Sequence, residues 1–233
     1  MLATSVKSLN DLRAPVRSDA VTENVIIPSG GVLLEGELIL PANASGVVLF
    51  AHGSGSSRFS VRNQFVASTI RQAGVGTLLF DLLTREEEMV DRHTRHLRFD
   101  IDLLARRLMN ATRWISQESE TRDLPIGYFG ASTGGAAALV AAAEFGDSIR
   151  AVVSRGGRPD LAGESLKRVE APTLLIVGGK DDVVLSLNRE AFERLNCEKE
   201  LKIIPGATHL FEEPGALKYV SHMASDWFAE YLA

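Results

Sequence analysis

A chain of 233 residues that is 45% apolar and 24% charged has the balance of one ordinary globular domain with a sizeable core. Its net charge of −5 gives no basic footprint for nucleic acid, and its single cysteine, Cys197, excludes an internal disulfide and argues against a cysteine-based zinc site. No apolar run approaches the roughly 18 residues of a membrane span.

In chain order, Lys7, Arg13 and Arg17 stand among Ser, Thr and Ala without the apolar stretch of a secretory signal, and Asp11 and Asp19 argue against a transit peptide. Residues 1–22 read as a flexible or loosely docked arm, residues 23–233 as a single domain, and the expected location is cytoplasmic. Residues 23–28 and 32–40 read as two strands joined through Ser29-Gly30-Gly31. The second alternates, with Leu34, Leu38 and Leu40 on one side and Leu33, Glu35 and Glu37 on the other, as in an antiparallel strand near a sheet edge. Strands follow at 47–51, 76–80, 125–129, 150–153, 172–177 and 201–204. Helices are predicted near 60–73, 99–117, 135–144, 185–195 and 215–231. This alternation predicts an α/β fold, a mostly parallel central sheet with helices on both faces. In such sheets ligands bind at the carboxyl ends of the strands.

Several of those ends carry chemistry. The apolar run 47–51 leads into His52-Gly53-Ser54-Gly55-Ser56-Ser57-Arg58, a small flexible loop that can aim a backbone N–H at a substrate oxygen. Ser54 is the first choice, with Gly53 or Gly55 as alternatives, and His52 is expected to order the loop. After the next strand, the acidic run Glu86-Glu87-Glu88 reads as a solvated helix start. His93 and His96 could share a helix face near Asp91 and Asp100. Surface histidines on a charged helix are commoner, so no metal site is expected. Trp114 and Trp227 read as core or half-buried aromatics, and Cys197, near a helix end, as a structural or surface thiol.

The stretch Gly130-Ala131-Ser132-Thr133-Gly134 has the form Gly-x-Ser-x-Gly between an apolar strand and an alanine-rich helix. At such a turn a serine is held in a strained backbone with its hydroxyl exposed, and the helix start behind it favours a developing negative charge. The plain alternative is an N-cap serine. Thr133, the next residue, would offer the second N–H to the substrate oxygen. Arg155-Gly156-Gly157-Arg158 follows another strand. Arg155 and Arg58 could clamp a substrate carboxylate or phosphate, or could pair with surface acids instead. Only residues 154–171 separate that strand from the next, too few for a lid domain, so an open site is expected. The strand at 172–177 ends in Gly178-Gly179-Lys180-Asp181-Asp182. Asp181 could orient a histidine, while Asp182 could cap the helix beginning near Leu185. The last strand leads through Pro205-Gly206 to His209, a candidate base. Phe211 beside it could line the pocket or anchor the loop.

With these motifs in the order Ser…Asp…His, the chain resembles the α/β-hydrolase superfamily over roughly residues 23–233. Within it the chain is most similar to the dienelactone-hydrolase-like branch. The echoes are His52-Gly53-Ser54-Gly55-Ser56, Gly130-Ala131-Ser132-Thr133-Gly134, Gly178-Gly179-Lys180-Asp181 and Gly206-Ala207-Thr208-His209. The resemblance implies an α/β-hydrolase fold without a large lid domain. It also implies a cofactor-independent hydrolase in which Ser132 is the nucleophile, His209 its base and Asp181 the carboxylate. The dienelactone hydrolases themselves carry a cysteine nucleophile where this chain has Ser132, so the expected activity is that of a serine esterase on a small carboxylic ester or thioester. The rival is a catalytically silent scaffold serving as a ligand-binding or accessory module. Acyl transfer or peptide hydrolysis would use the same residues. No nucleic-acid or membrane partner is expected, and association into a homodimer is left open.

Overall fold

The computed structural model describes residues 20–233. Eight strands form one sheet in the order β1-β2-β4-β3-β5-β6-β7-β8. They are β1 (Val21–Ser29), β2 (Val32–Leu40), β3 (Val47–Ala51), β4 (Gly76–Phe80), β5 (Ile126–Ala131), β6 (Ile149–Arg155), β7 (Thr173–Gly178) and β8 (Lys199–Ile204). The hairpin of β1 and β2 is antiparallel, turning at Gly30 and Gly31, both with positive φ. β2 also runs antiparallel to β4, and all other pairings are parallel. This is the α/β-hydrolase arrangement. β1 begins at Val21, so two residues expected in the N-terminal arm belong to the sheet. The rest of that expectation, residues 1–19, lies outside the described residues.

The six helices are α1 (Val61–Gln72), α2 (Arg85–Thr94), α3 (Ile101–Ile115), α4 (Thr133–Phe145), α5 (Asp182–Arg194) and α6 (Ala216–Tyr231). Strand residues alternate between two cores because side chains have period two. Leu49, Tyr128, Val152 and Leu175 pack with α3, α4 and α5 on one face. Val48, Phe129, Val153 and Ile176 pack with α1 and α6 on the other. Each fully buried Leu, Ile, Val or Phe contributes about 1.5–3 kcal/mol relative to exposure. In β2 the side carrying Leu34, Leu38 and Leu40 is buried and Leu33 is exposed, as the alternation predicts. α4 is rich in alanine because nine of its residues are buried, and small side chains let it lie close to the middle of the sheet.

Two elements depart from the sequence reading. α2 is a full helix of which the acidic start and a charged face near His93 were legible; it ends at Thr94, so His96 lies beyond it and does not share its face with His93, and it buries a single residue, Asp91, so it belongs to neither layer. Residues 159–168 form a 3₁₀ segment where only a connection was expected, broken at Gly163. Neither amounts to a lid domain. α5 begins at Asp182, three residues before the expected start.

Candidate active site

Ser132 occupies the single position between β5 and α4. Its φ of 52° and ψ of −122° are a conformation that costs a non-glycine residue about 1–3 kcal/mol and persists only where the surroundings impose it. The surroundings are backbone. The Ser132 N–H donates to the Arg155 carbonyl at 3.3 Å, and its own carbonyl accepts from Arg158 N–H and Gly135 N–H, both at 3.0 Å. A side chain on Gly134 would overlap the carbonyl oxygen of Ala51, which explains the glycine there. The hydroxyl makes no capping bond to α4, so the N-cap alternative is not taken up. At the start of α4 the Thr133 N–H precedes the first helical hydrogen bond and has no intrahelical partner.

Asp181 stands at the N-cap position of α5 yet caps nothing. Its Oδ2 accepts a hydrogen bond from Nδ1 of His209 at 2.7 Å. That bond places the proton on Nδ1 and leaves the Nε2 lone pair outward. Asp182 is the first residue of α5, where a carboxylate suits the helix dipole. The His209 loop is braced by Glu213, whose Oε1 accepts from Thr208 N–H at 3.0 Å and from Thr208 Oγ1 at 2.6 Å. The Thr208 hydroxyl holds the Glu213 carboxyl below its ordinary value. Beneath His209 lies Gly156, with φ 51°. A side chain there would press on the His209 carbonyl at 3.2 Å and Nδ1 at 3.5 Å. Gly156 directly follows Arg155, whose carbonyl holds Ser132. The nucleophile candidate and the histidine therefore rest on two consecutive residues of one strand end.

The loop after β3 approaches from the other side. Ser54 Oγ lies 3.1 Å from Thr133 Oγ1 and donates to the Arg98 carbonyl at 3.3 Å. His52 is buried. Its Nε2 accepts from Leu82 N–H at 3.0 Å, and Nδ1 faces the Gly53 carbonyl at 3.0 Å. Burial pushes its imidazole below the ordinary value, so the ring is neutral with both nitrogens engaged, and it orders the loop. The sequence reading missed the residues 85–99 that roof this side. Asp91, 1% exposed, accepts from Leu97 N–H, Arg98 N–H and Arg98 Nε. Together with the β3 loop and Thr133, residues Leu83, Glu88, Arg98 and Leu104 line a narrow cleft.

Two candidate ligand contacts are corrected. Arg58 does not face the cleft. Its guanidinium is paired with Asp81 and Glu35, and its N–H also reaches Asp81 Oδ1 at 2.7 Å, which ties the β3 loop to β2 and β4. Phe211 is 1% exposed, with φ 56°, in the core between the sheet and α6, so of its two expected roles it takes that of anchoring the His209 loop. Arg158 pairs with Asp160 at 2.8 Å. Among the described residues no group of three His, Cys, Asp or Glu side chains gathers to hold a metal, and no helix is long and apolar enough to cross a membrane.

The model of the dienelactone hydrolase family matches residues 34–232. The chain belongs to this family. It is similar to a crystal structure of a dienelactone hydrolase from Anabaena variabilis, with 58% identity and a TM-score of 0.90 over 92% of this chain and 99% of that one. At the level of fold alone it is similar to Est1E from Butyrivibrio proteoclasticus with ferulic acid bound, with 17% identity and a TM-score of 0.76 over 89% of this chain and 99% of that one. Curated relatives from two strains of Mycobacterium tuberculosis are 56% identical over 210 residues, which is 90% of this chain. They carry the provisional name of a phosphoribosyl transferase, and the chain matches 46% of their length. Family membership places this chain among the hydrolases.

Proposed function

We propose that this hydrolase cleaves a small carboxylic ester or thioester through an acyl-enzyme on Ser132. The observation that carries the reading is the Asp181–His209 hydrogen bond at 2.7 Å, seated on Gly156 beside a Ser132 held at positive φ. Ser132 Oγ attacks the substrate carbonyl carbon while its proton passes to His209 Nε2. The Asp181 carboxylate stabilises the imidazolium and keeps its orientation. Backbone N–H groups of Thr133 and Ser54 receive the oxyanion of the tetrahedral intermediate. Collapse breaks the bond to the alcohol or thiol, which leaves with the proton from His209. Water, deprotonated by the same imidazole, then attacks the acyl-enzyme and returns Ser132 with release of the acid.

The transferase name of the mycobacterial relatives speaks for proteins of which this chain matches less than half. It is not carried over, because the site here offers a nucleophile and a base suited to acyl chemistry. Fluorophosphonate labelling located by mass spectrometry tests the reading. The expected result is a single adduct on Ser132, absent from Ser132→Ala and His209→Ala. An ester and thioester panel should then show turnover that falls on the order of 10⁶-fold in either variant and about 10⁴-fold in Asp181→Asn. A folded wild type that takes no label would favour the ligand-binding scaffold instead.

A further inference from the structure

Arg155 ends β6 with its side chain on the α1 and α6 face of the sheet, and it is 7% exposed. Its Nη2 lies 3.5 Å from Asn63 Oδ1, the outer limit of a hydrogen bond. Its Nε and Nη1 are buried, with no partner among the described residues. Among the described residues no carboxylate pairs with it. Burial and then the neighbouring charge of Arg62 lower its pKa to about 10, so it remains a cation at neutrality. The face of Phe211 lies 5.9 Å away and offers only a weak cation–π contact. Arg62 has the same deficit, with Nε buried and unpartnered and Nη1 3.2 Å from the exposed carboxylate of Glu212. The first turn of α1, which holds Arg62 and Asn63, contains no acidic residue.

Two guanidiniums side by side, with three donor nitrogens unpartnered, are destabilising unless an anion joins them. Among the described residues none reaches Arg155. We propose that Arg155, Arg62 and Asn63 form a recognition site for an oxyanion group, carboxylate or phosphate, carried by the ester substrate. This rests on the reading of Ser132 as the nucleophile, because the Arg155 carbonyl holds the Ser132 N–H and the adjoining Gly156 seats His209. Glu212 is the internal stand-in. Its pair with Arg62 is solvent-exposed and weak, and an incoming anion displaces it.

The test compares 4-nitrophenyl hemiglutarate with neutral 4-nitrophenyl butyrate on the wild type, Arg155→Met, Arg155→Lys and Glu212→Gln, with fluorophosphonate labelling alongside. For Arg155→Met, kcat/KM on the anionic ester should fall about 10–100-fold, the range of a hydrogen bond to a charged group. The neutral ester and the labelling should change by less than about threefold. Arg155→Lys keeps the charge without the fork and should lose an intermediate amount. Glu212→Gln should raise kcat/KM for the anionic ester and leave the neutral one unchanged. The thermal midpoint of Arg155→Met should stay level or rise, because no carboxylate is stranded by the change. Equal losses on both esters, or a collapse of the midpoint with no change in ester preference for Arg155→Lys, would overturn the proposal. So would inorganic phosphate or glutarate raising the midpoint through Arg155 without competing with the ester, since the anion would then be a free structural ion. Absence of labelling would mark failure of the nucleophile reading. The anion site would still be judged by whether glutarate raises the midpoint of the wild type and not of Arg155→Met.

Discussion

The strain at Ser132 is maintained by crowding. Gly134 lies so close to the Ala51 carbonyl that a single added methyl would push α4 away from β3 and relax the turn. Gly134→Ala is therefore expected to lower stability by about 1–3 kcal/mol, the usual cost of overpacking, and to slow fluorophosphonate labelling at Ser132. Thermal denaturation and labelling rate check both, and an unchanged variant would mean that the turn is not held by close approach. The placing of Ser132, Asp181 and His209 at strand ends was legible in the sequence because each follows an apolar run and has a glycine two or three positions before it. Side-chain direction was not legible in the same way. Arg58 is turned toward Asp81 and Glu35, partners 23 residues away on either side, and no local pattern announces such a pair. Phe211 is turned inward by a backbone at φ 56°, which its residue type does not suggest.

At the scale of elements, one ring joins two strand ends. His52, after β3, accepts the N–H of Leu82, after β4, and faces the carbonyl of Gly53 in its own loop. The sequence suggested a loop-ordering role for the histidine that precedes Gly53-Ser54-Gly55. The contact across the sheet needed the fold. Burial keeps the ring neutral in the native state, so its folded pKa is depressed. Above the ordinary imidazole value near 6.5 neither state holds the proton and folding is unaffected. Below it the unfolded chain binds a proton that the native state refuses, and stability falls by up to about 1.4 kcal/mol per pH unit until the depressed value is reached. Chemical denaturation from pH 8 to pH 5 should show this decline in the wild type and a flatter profile in His52→Gln. Parallel profiles would remove His52 as the cause. α2 was legible only in part. It has charge at most positions and buries only Asp91, so there is no apolar stripe to see. Beside its acidic first turn, the local signal is the capping box of Thr84 and Glu87.

Across the whole molecule the two kinds of cohesion are unevenly placed. β5 to β7, with α4 and α6, are closed by apolar packing. The segment between β4 and α3 is held largely by ion pairs instead. Glu87 meets the buried Arg107, Asp91 meets Arg98, and Glu35 takes both Arg58 and Arg85. For Glu87 and Asp91, burial alone would raise the carboxyl pKa, but the arginine and backbone hydrogen bonds outweigh it and hold the carboxyl low. Hydrogen bonds from Arg58 and Arg85 hold Glu35 low. Depressed carboxyls contribute stability that is present above their ordinary values near 4 and is lost as pH falls through the lower folded-state values. Acid should therefore open residues 85–99 before it unfolds the sheet. Hydrogen exchange followed by mass spectrometry at pH 7 and at about pH 2.5, well below the ordinary carboxyl value, checks this: amides of α2 should lose protection while those of β5 and β6 keep theirs. The Arg98 carbonyl also holds Ser54, so the same opening should loosen the loop that faces Thr133, and labelling at Ser132 after a brief acid pulse should recover in step with reprotection of 85–99. If protection disappears everywhere together, the segment unfolds cooperatively with the sheet, and the ion pairs around Asp91 are part of one core rather than a separate, acid-sensitive roof.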